Sequence, residues 1–236
     1  MTATNDASAF TALAGVTTAT VTTILLKKGL RNVWIRRAFP LAPGQARRVG
    51  RAFTVRFIPA REDLATPASW SSPKSTRAAI EEMPAGCVAV VDANGVTDAG
   101  FWGDILCARM AARGVAALVS DGAVRDLAGV LSTGLPVWAN GTAAPPSVAG
   151  LTFVDWQQPI GCGGVAIFPN DVIVADGDGA VVIPAAMLEE VVTFAVEQEC
   201  LEGWIMDEIK AGAALPGLYP ANAENQARYE AAKRKA

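Results

Sequence analysis

Histidine is absent from this sequence of 236 residues. That omission removes Ser-His-Asp and Cys-His nucleophilic systems, every histidine metal site and imidazole acid–base chemistry. The four cysteines, Cys87, Cys107, Cys162 and Cys200, stand far apart with no C-x-x-C pair, so a zinc site is not expected. Their spacing fits reduced, mostly buried thiols inside a cell. A bound metal would be left with oxygen ligands, which select Mg²⁺, Mn²⁺ or Ca²⁺. A large excess of either sign of charge is also lacking. The formal net charge is −3, and basic residues are scattered, with the richest clusters, Arg36-Arg37, Arg47-Arg48 and Lys233-Arg234-Lys235, all short. Such runs read as solvated faces, and no nucleic-acid partner is expected. No apolar run approaches the roughly 20 residues that cross a bilayer, and residues 1–15 lack a basic start followed by an unbroken apolar stretch. The expectation is a cytoplasmic protein without a membrane partner, whose chemistry falls to carboxylates, Arg, Lys, Ser, Thr and backbone amides.

What the chain does have is apolar material: 51% of it is hydrophobic, enough at this length for one large domain with a real core. Residues 21–30 predict an amphipathic helix ending in Lys27-Lys28-Gly29, a cationic last turn with glycine after it. Residues 40–50 are turn-rich, and 52–58 alternate as a strand does. Residues 59–75 predict a long polar loop of the kind that often carries function. The pattern then becomes regular: helix 76–83, strand 87–91, a helix opened by Gly103-Asp104 and running to 112, strand 115–119 and helix 125–131. That order predicts a right-handed crossover and a parallel pair of strands covered on both faces. Short β-rich pieces at 151–154, 165–168, 172–174 and 180–183 predict an antiparallel or mixed sheet. A long helix over 185–211 ends at Gly212, before the turn-rich Pro216-Gly-Leu-Tyr-Pro220. The reading is a single α/β domain over 1–236, with an N-terminal helical segment of about 1–45 and a C-terminal helix and tail from about 185.

The densest chemical candidates are Gly103-Asp104-Ile105-Leu106 and Asp121-Gly-Ala-Val-Arg125-Asp126. Each follows a predicted buried strand, where open α/β sheets place their ligands. Gly103 permits close backbone approach, and free first-turn amides can grip an anion. Arg125 offers a planar fork matched to a carboxylate, and Asp126 could bind a hard cation. The alternative leaves Asp104 and Asp126 as helix caps and Arg125 in a surface ion pair. Elsewhere, Gly161-Cys-Gly-Gly164 reads as a packed turn and Asp176-Gly-Asp-Gly179 as a hairpin turn. Lys27, Lys28, Lys74 and Lys210 lie in polar surroundings that do not suit a Schiff base. Arg61-Glu62-Asp63, Lys74 and Arg77 either frame a mouth or are solvated. Glu197, Glu199, Glu202 and Asp207 form the wet face of the long helix or reach a neighbouring subunit. Trp70, Trp102 and Trp138 serve as packing or pocket walls.

Over roughly residues 49–198 the chain resembles the RraA-like family, which includes metal-dependent 4-hydroxy-4-methyl-2-oxoglutarate aldolases and the regulators of ribonuclease activity. The resemblance rests on an Asp, twenty intervening residues and Arg-Asp, met by Asp104 and Arg125-Asp126. It is joined by Gly50-Arg-Ala-Phe-Thr-Val55, Val119-Ser-Asp-Gly122 and the run from Asp171 to Pro184. It implies the family's swivelling β/β/α domain, with mixed sheets and flanking helices, assembled as a homotrimer or a dimer of trimers. It further implies a divalent cation, Mg²⁺ or else Mn²⁺, held at Asp126 largely through waters, with Asp104 nearby. By the same resemblance Arg125 binds a small 2-oxo acid, and the amides of Gly103, Asp104, Ile105 and Leu106 hold its carboxylate. The implied activity is that of a class II carbon–carbon lyase, cleaving 4-hydroxy-4-methyl-2-oxoglutarate or decarboxylating oxaloacetate to give pyruvate. The alternative the family offers is a non-catalytic regulator that binds ribonuclease E or a helicase. One departure stands out: three positions after Asp126, where catalytic members carry Glu or Asp, this chain has Gly129.

Overall fold

The structure is a computed structural model describing residues 3–234, so Lys235 of the basic C-terminal cluster lies outside the described residues. In chain order the helices are α1 (Ala3–Ala14), α2 (Thr18–Lys27), α3 (Thr76–Glu82), α4 (Asp104–Ala112), α5 (Leu127–Ser132), α6 (Leu188–Lys210) and α7 (Ala223–Lys233). The strands are β1 (Trp34–Ile35), β2 (Phe39–Pro40), β3 (Arg48–Pro59), β4 (Val88–Asp92), β5 (Ala117–Ser120), β6 (Val137–Ala139), β7 (Leu151–Trp156), β8 (Val172–Asp176) and β9 (Gly179–Ile183). They hydrogen-bond in the order β1-β9-β8-β3-β4-β5-β6-β2, with β7 also on β3.

The long strand β3 organises everything else. Its first residues pair antiparallel with β8, Val49 opposite Val174, and the next five run parallel to β4, Ala52 opposite Val88. Its end pairs antiparallel with β7. One strand therefore belongs to two sheets. Gly50 sits at the changeover, where an added Cβ would lie 2.5 Å from the carbonyl oxygen of Gly86. A side chain there would push β3 off the loop that leads into β4.

Strand side chains alternate between faces, and the buried residues sort accordingly into three layers of core. Val88, Val90 and Val119 face Ile173, Ala175 and Val182 between the two sheets. Ala89, Val91 and Phe57 face Ile80, Met110 and Val130 of α3, α4 and α5, together with Met83 just after α3. Val174, Val181 and Ile183 face Leu13, Val21, Leu25 and Val191 of α1, α2 and α6. The result is helix, sheet, sheet, helix. Burying a side chain such as Phe57 or Leu25 stabilises by about 1.5–3 kcal/mol each, so the alternation fixes register firmly. The parallel β4–β5 pair and its crossover α4 stand as the apolar runs predicted.

Several expectations are corrected. Residues 165–168 form no strand and contribute only an isolated bridge, Ile160 to Ile167. The N-terminal segment is helical only as far as Lys27, after which β1 and β2 pair with β9 and β6. The tail contains α7, which is capped by Asn222, whose side chain accepts from the amide of Asn225. Among the described residues no single helix is long and apolar enough to cross a membrane. Residues 6–14 of α1, taken together with α2, pass that test only as a pair bent by 113°.

Candidate active site

Helices α4 and α5 begin beyond the carboxyl ends of β4 and β5, and the two connecting loops run side by side. Phe101 N donates to Ala123 O and Arg125 N donates to Trp102 O, both at 2.9 Å. This pairing brings Gly103 against Arg125 and Asp126. A Cβ on Gly103 would meet Asp126 Oδ2 at 2.7 Å and Arg125 Cγ at 3.1 Å. Its backbone is extended (φ −122°), so what the site needs from glycine is space. Arg125 Nε donates to Asp126 Oδ2 at 3.0 Å, with the two side chains 36% and 46% exposed.

Asp126 is left-handed, φ 55° and ψ 48°, and makes no capping hydrogen bond. Short polar residues tolerate that conformation best. It ends the incoming loop, so the helix predicted to start at 125 starts at Leu127 instead. Asp104 occupies the first turn of α4, and its Oδ1 accepts from Ile105 N at 2.7 Å. Gly129 of α5 lies beneath it, where an added Cβ would fall 2.6 Å from both Cβ and Oδ2 of Asp104. The carboxylate of Asp104 thus fills the space that any side chain at 129 would need.

These groups share one cleft of about 280 Å³. Gly103, Asp104, Ile105, Leu106, Arg125 and Asp126 all line it, so every site residue read from the sequence is brought together. Trp70, Thr76, Arg77, Trp102 and Ser147 are among the residues that form the rest of its walls. The sequence offered Trp70, Arg77 and Trp102 only as options and gave no signal for Thr76 or for Ser147, which enters from the connection before β7. Asp121, in contrast, is a buried brace. Its carboxylate accepts from the amides of Ala93, Gly95 and Gly163 at 2.9–3.0 Å, tying three loops together behind the cleft. Burial pushes its carboxyl above the usual range.

The other sequence candidates lie elsewhere. Lys74 pairs with Asp155 at 2.6 Å, and Arg61 pairs with Asp63. Glu197 pairs with Lys233, and Glu199 accepts from Thr20 Oγ1 at 2.6 Å. None of the α6 carboxylates lines this cleft. The indole N–H of Trp138 is buried and donates to Asp176 O. Among the described residues no three His, Cys, Asp or Glu side chains converge on one point. The donor set that the cleft offers is two partly solvated carboxylates, Asp104 and Asp126. That suits a hard cation that keeps most of its water, and not one needing a closed cage.

The family model described as RraA-like, Aldolase/RraA, matches residues 18–182. The chain belongs to the RraA-like family. Protein DlpA of Legionella pneumophila is 32% identical over 176 residues, covering 75% of this chain and 28% of its own length. A Halalkalibacterium halodurans protein named "Putative 4-hydroxy-4-methyl-2-oxoglutarate aldolase" is 35% identical over 138 residues, 56% of this chain and 65% of its own. The chain thus spans less than two thirds of these curated relatives. Among solved structures, a Pseudomonas syringae pv. tomato protein superposes with a TM-score of 0.77 at 28% identity, covering 90% and 96% of the two chains. Streptomyces coelicolor RraAS2, described as an unusual member of the RNase ES inhibitor RraA protein family, superposes at 0.75 with 34% identity over 84% and 94%. The RraA-like fold, with mixed sheets and flanking helices, is therefore the fold of this chain.

Proposed function

We propose that this RraA-like protein is a divalent-cation-dependent carbon–carbon lyase acting on a small 2-oxo acid and releasing pyruvate. The observation that carries the reading is the meeting of Asp104, Arg125 and Asp126 around Gly103 in a single cleft. Arg125 presents a fork to the substrate's 2-oxo carboxylate, and the first-turn amides of α4 add donors to the same anion. The Ile105 amide is engaged by Asp104 Oδ1 and is freed when that carboxylate turns toward substrate. Asp104 is then the carboxylate placed to take the C4 hydroxyl proton as the C3–C4 bond breaks. The bonding pair stays on the pyruvate fragment, and C4 leaves as a carbonyl. A hydrated cation at Asp126, Mg²⁺ or Mn²⁺, would neutralise the charge growing on the ketone oxygen. Decarboxylation of oxaloacetate leaves the same pyruvate fragment, so one site serves both reactions.

Ile105, which lines the cleft, is 79% exposed, and Leu127 and Leu131 of α5 also present exposed apolar side chains. Their position supports a homotrimer or dimer of trimers in which another copy closes the site, and light scattering reads that directly. A cytoplasmic location is favoured by cysteines that are all unpaired, three of them buried.

The deciding experiment measures pyruvate release from 4-hydroxy-4-methyl-2-oxoglutarate and from oxaloacetate, with Mg²⁺ and with EDTA. Turnover should require the metal and vanish in Arg125→Ala and Asp126→Ala, while both variants stay folded, since exposed ion pairs contribute only about 0–1 kcal/mol. A second reading draws on the likeness to RraAS2: a regulator that binds a ribonuclease. Absence of turnover across a panel of 2-oxo acids, together with tight capture of ribonuclease E, would replace the first reading with the second.

A further inference from the structure

Resting on the cleavage reading above, we infer that Arg77, seated on Trp70, is the specificity residue that reads a second carboxylate at the far end of the substrate. Arg77 is carried by α3, directly after the 59–75 loop, and lines the same cleft as Arg125. Its guanidinium lies 5.2 Å from the centroid of the Trp70 ring. Among the described residues that stacking is its whole set of interactions: no carboxylate pairs with it and no acceptor takes its N–H groups.

Other cleft and near-cleft cations differ. Arg125 is matched by Asp126, Lys74 by Asp155, and Arg109 on the neighbouring helix by Glu81. An unmatched guanidinium whose plane is held by an aromatic face is a pre-set fork for a carboxylate. The wall around it carries further donors. Thr76 and Ser147 add hydroxyls. Both arginines line one cleft of about 280 Å³, at the small end of ligand sites, and the inference requires a short acid to meet the two together. The substrate class this selects is a 2-oxo acid with a carboxylate at each end, in preference to aldols of pyruvate that end in a methyl group.

The test compares kcat/KM for 4-hydroxy-4-methyl-2-oxoglutarate with that for the monocarboxylate 4-hydroxy-2-oxopentanoate, in the wild-type chain, Arg77→Gln and Arg77→Lys. Losing a charge-assisted hydrogen-bond partner should lower the diacid value by about 10- to 150-fold. The monocarboxylate value should stay within about threefold of wild type, because uniform damage is not what a distal contact produces. Arg77→Lys restores the charge without the fork and should recover part of the loss. Calorimetry supplies a second readout. Affinity for 2-oxoglutarate, which lacks the hydroxyl needed for cleavage, should fall in Arg77→Gln, while affinity for pyruvate should not. Equal losses on both substrates, or none on either, overturn the role of Arg77. Binding of 2-oxoglutarate that depends on Arg77, with no turnover of any substrate, keeps this assignment and refutes the lyase. Failure to bind either acid refutes both.

Discussion

A methyl group added at Gly103 isolates the geometry of the site from the stability of the fold. In Gly103→Ala the new Cβ falls 2.7 Å from Asp126 Oδ2, and an ordinary contact begins at 3.4 Å. The carboxylate must therefore retreat by about 0.7 Å, or the loop must open by as much. The obstructing atom is the far end of a half-exposed side chain, so retreat is energetically cheap. Alanine is a poorer N-cap than glycine, which adds about 0.5–1 kcal/mol of destabilisation. For a chain of this length that lowers Tm by only about 1–4 °C. Chemistry is far less forgiving, since a misplacement near 1 Å can cost on the order of a hundredfold. The expected result is a loss of about 10- to 100-fold in kcat/KM for pyruvate release. It should be accompanied by weaker Mg²⁺ or Mn²⁺ binding in a metal titration and a nearly unchanged melting curve. Turnover and metal affinity both within twofold of wild type would refute the claim that the Gly103–Asp126 approach sets the site. A collapse of Tm would show that Gly103 serves the fold instead.

Gly129→Ala meets the Cβ and not only the tip of Asp104, at 2.6 Å, so it should lower both turnover and stability, the latter by about 1–3 kcal/mol in urea unfolding. At Gly50 the obstacle is the backbone carbonyl of Gly86; Gly50→Ala should cost a similar 1–3 kcal/mol while leaving kcat of the surviving folded protein near wild type. The Lys74 ammonium holds the Asp155 carboxyl below its usual range. A depressed folded pKa means that the tether's stabilisation is present above the ordinary aspartate value, near 4, and is lost as pH falls through the lower folded value. Hydrogen exchange in residues 59–75 should accordingly rise on acidification below about pH 4, and Lys74→Met should remove that step.

Local pattern announced the buried strands, because a strand covered on both faces shows its apolarity without interruption. It also announced the helix at Asp104, through glycine and an acidic first turn. It missed α7, which buries only Tyr229 and is held largely through polar contacts such as Arg228 to Glu208. Residues 165–168 looked like a strand because Val165 and Ile167 alternate, but they are buried as a packed loop between the sheets. The helix at 125 was placed two residues early because no residue type announces that an aspartate will turn left-handed. Within the cleft, Asp104, Arg125 and Asp126 were legible because each follows a predicted buried strand and because their spacing matches the RraA-like pattern, which set them apart from ordinary helix caps. The pairing of Arg77 with Trp70 depends on how a long loop folds back, and Ser147 on where β7 docks. Sequence spacing contains neither.

The double membership of β3 bears on how the chain is made. Val49 waits for Val174, 125 positions later, before its hydrogen bonds are filled. During synthesis the first half of β3 stays an open edge long after its second half has found β4. Such delayed, distant pairing slows folding and leaves an edge exposed to other chains. Refolding yield should therefore fall with protein concentration more steeply than it would for a sheet paired between neighbours.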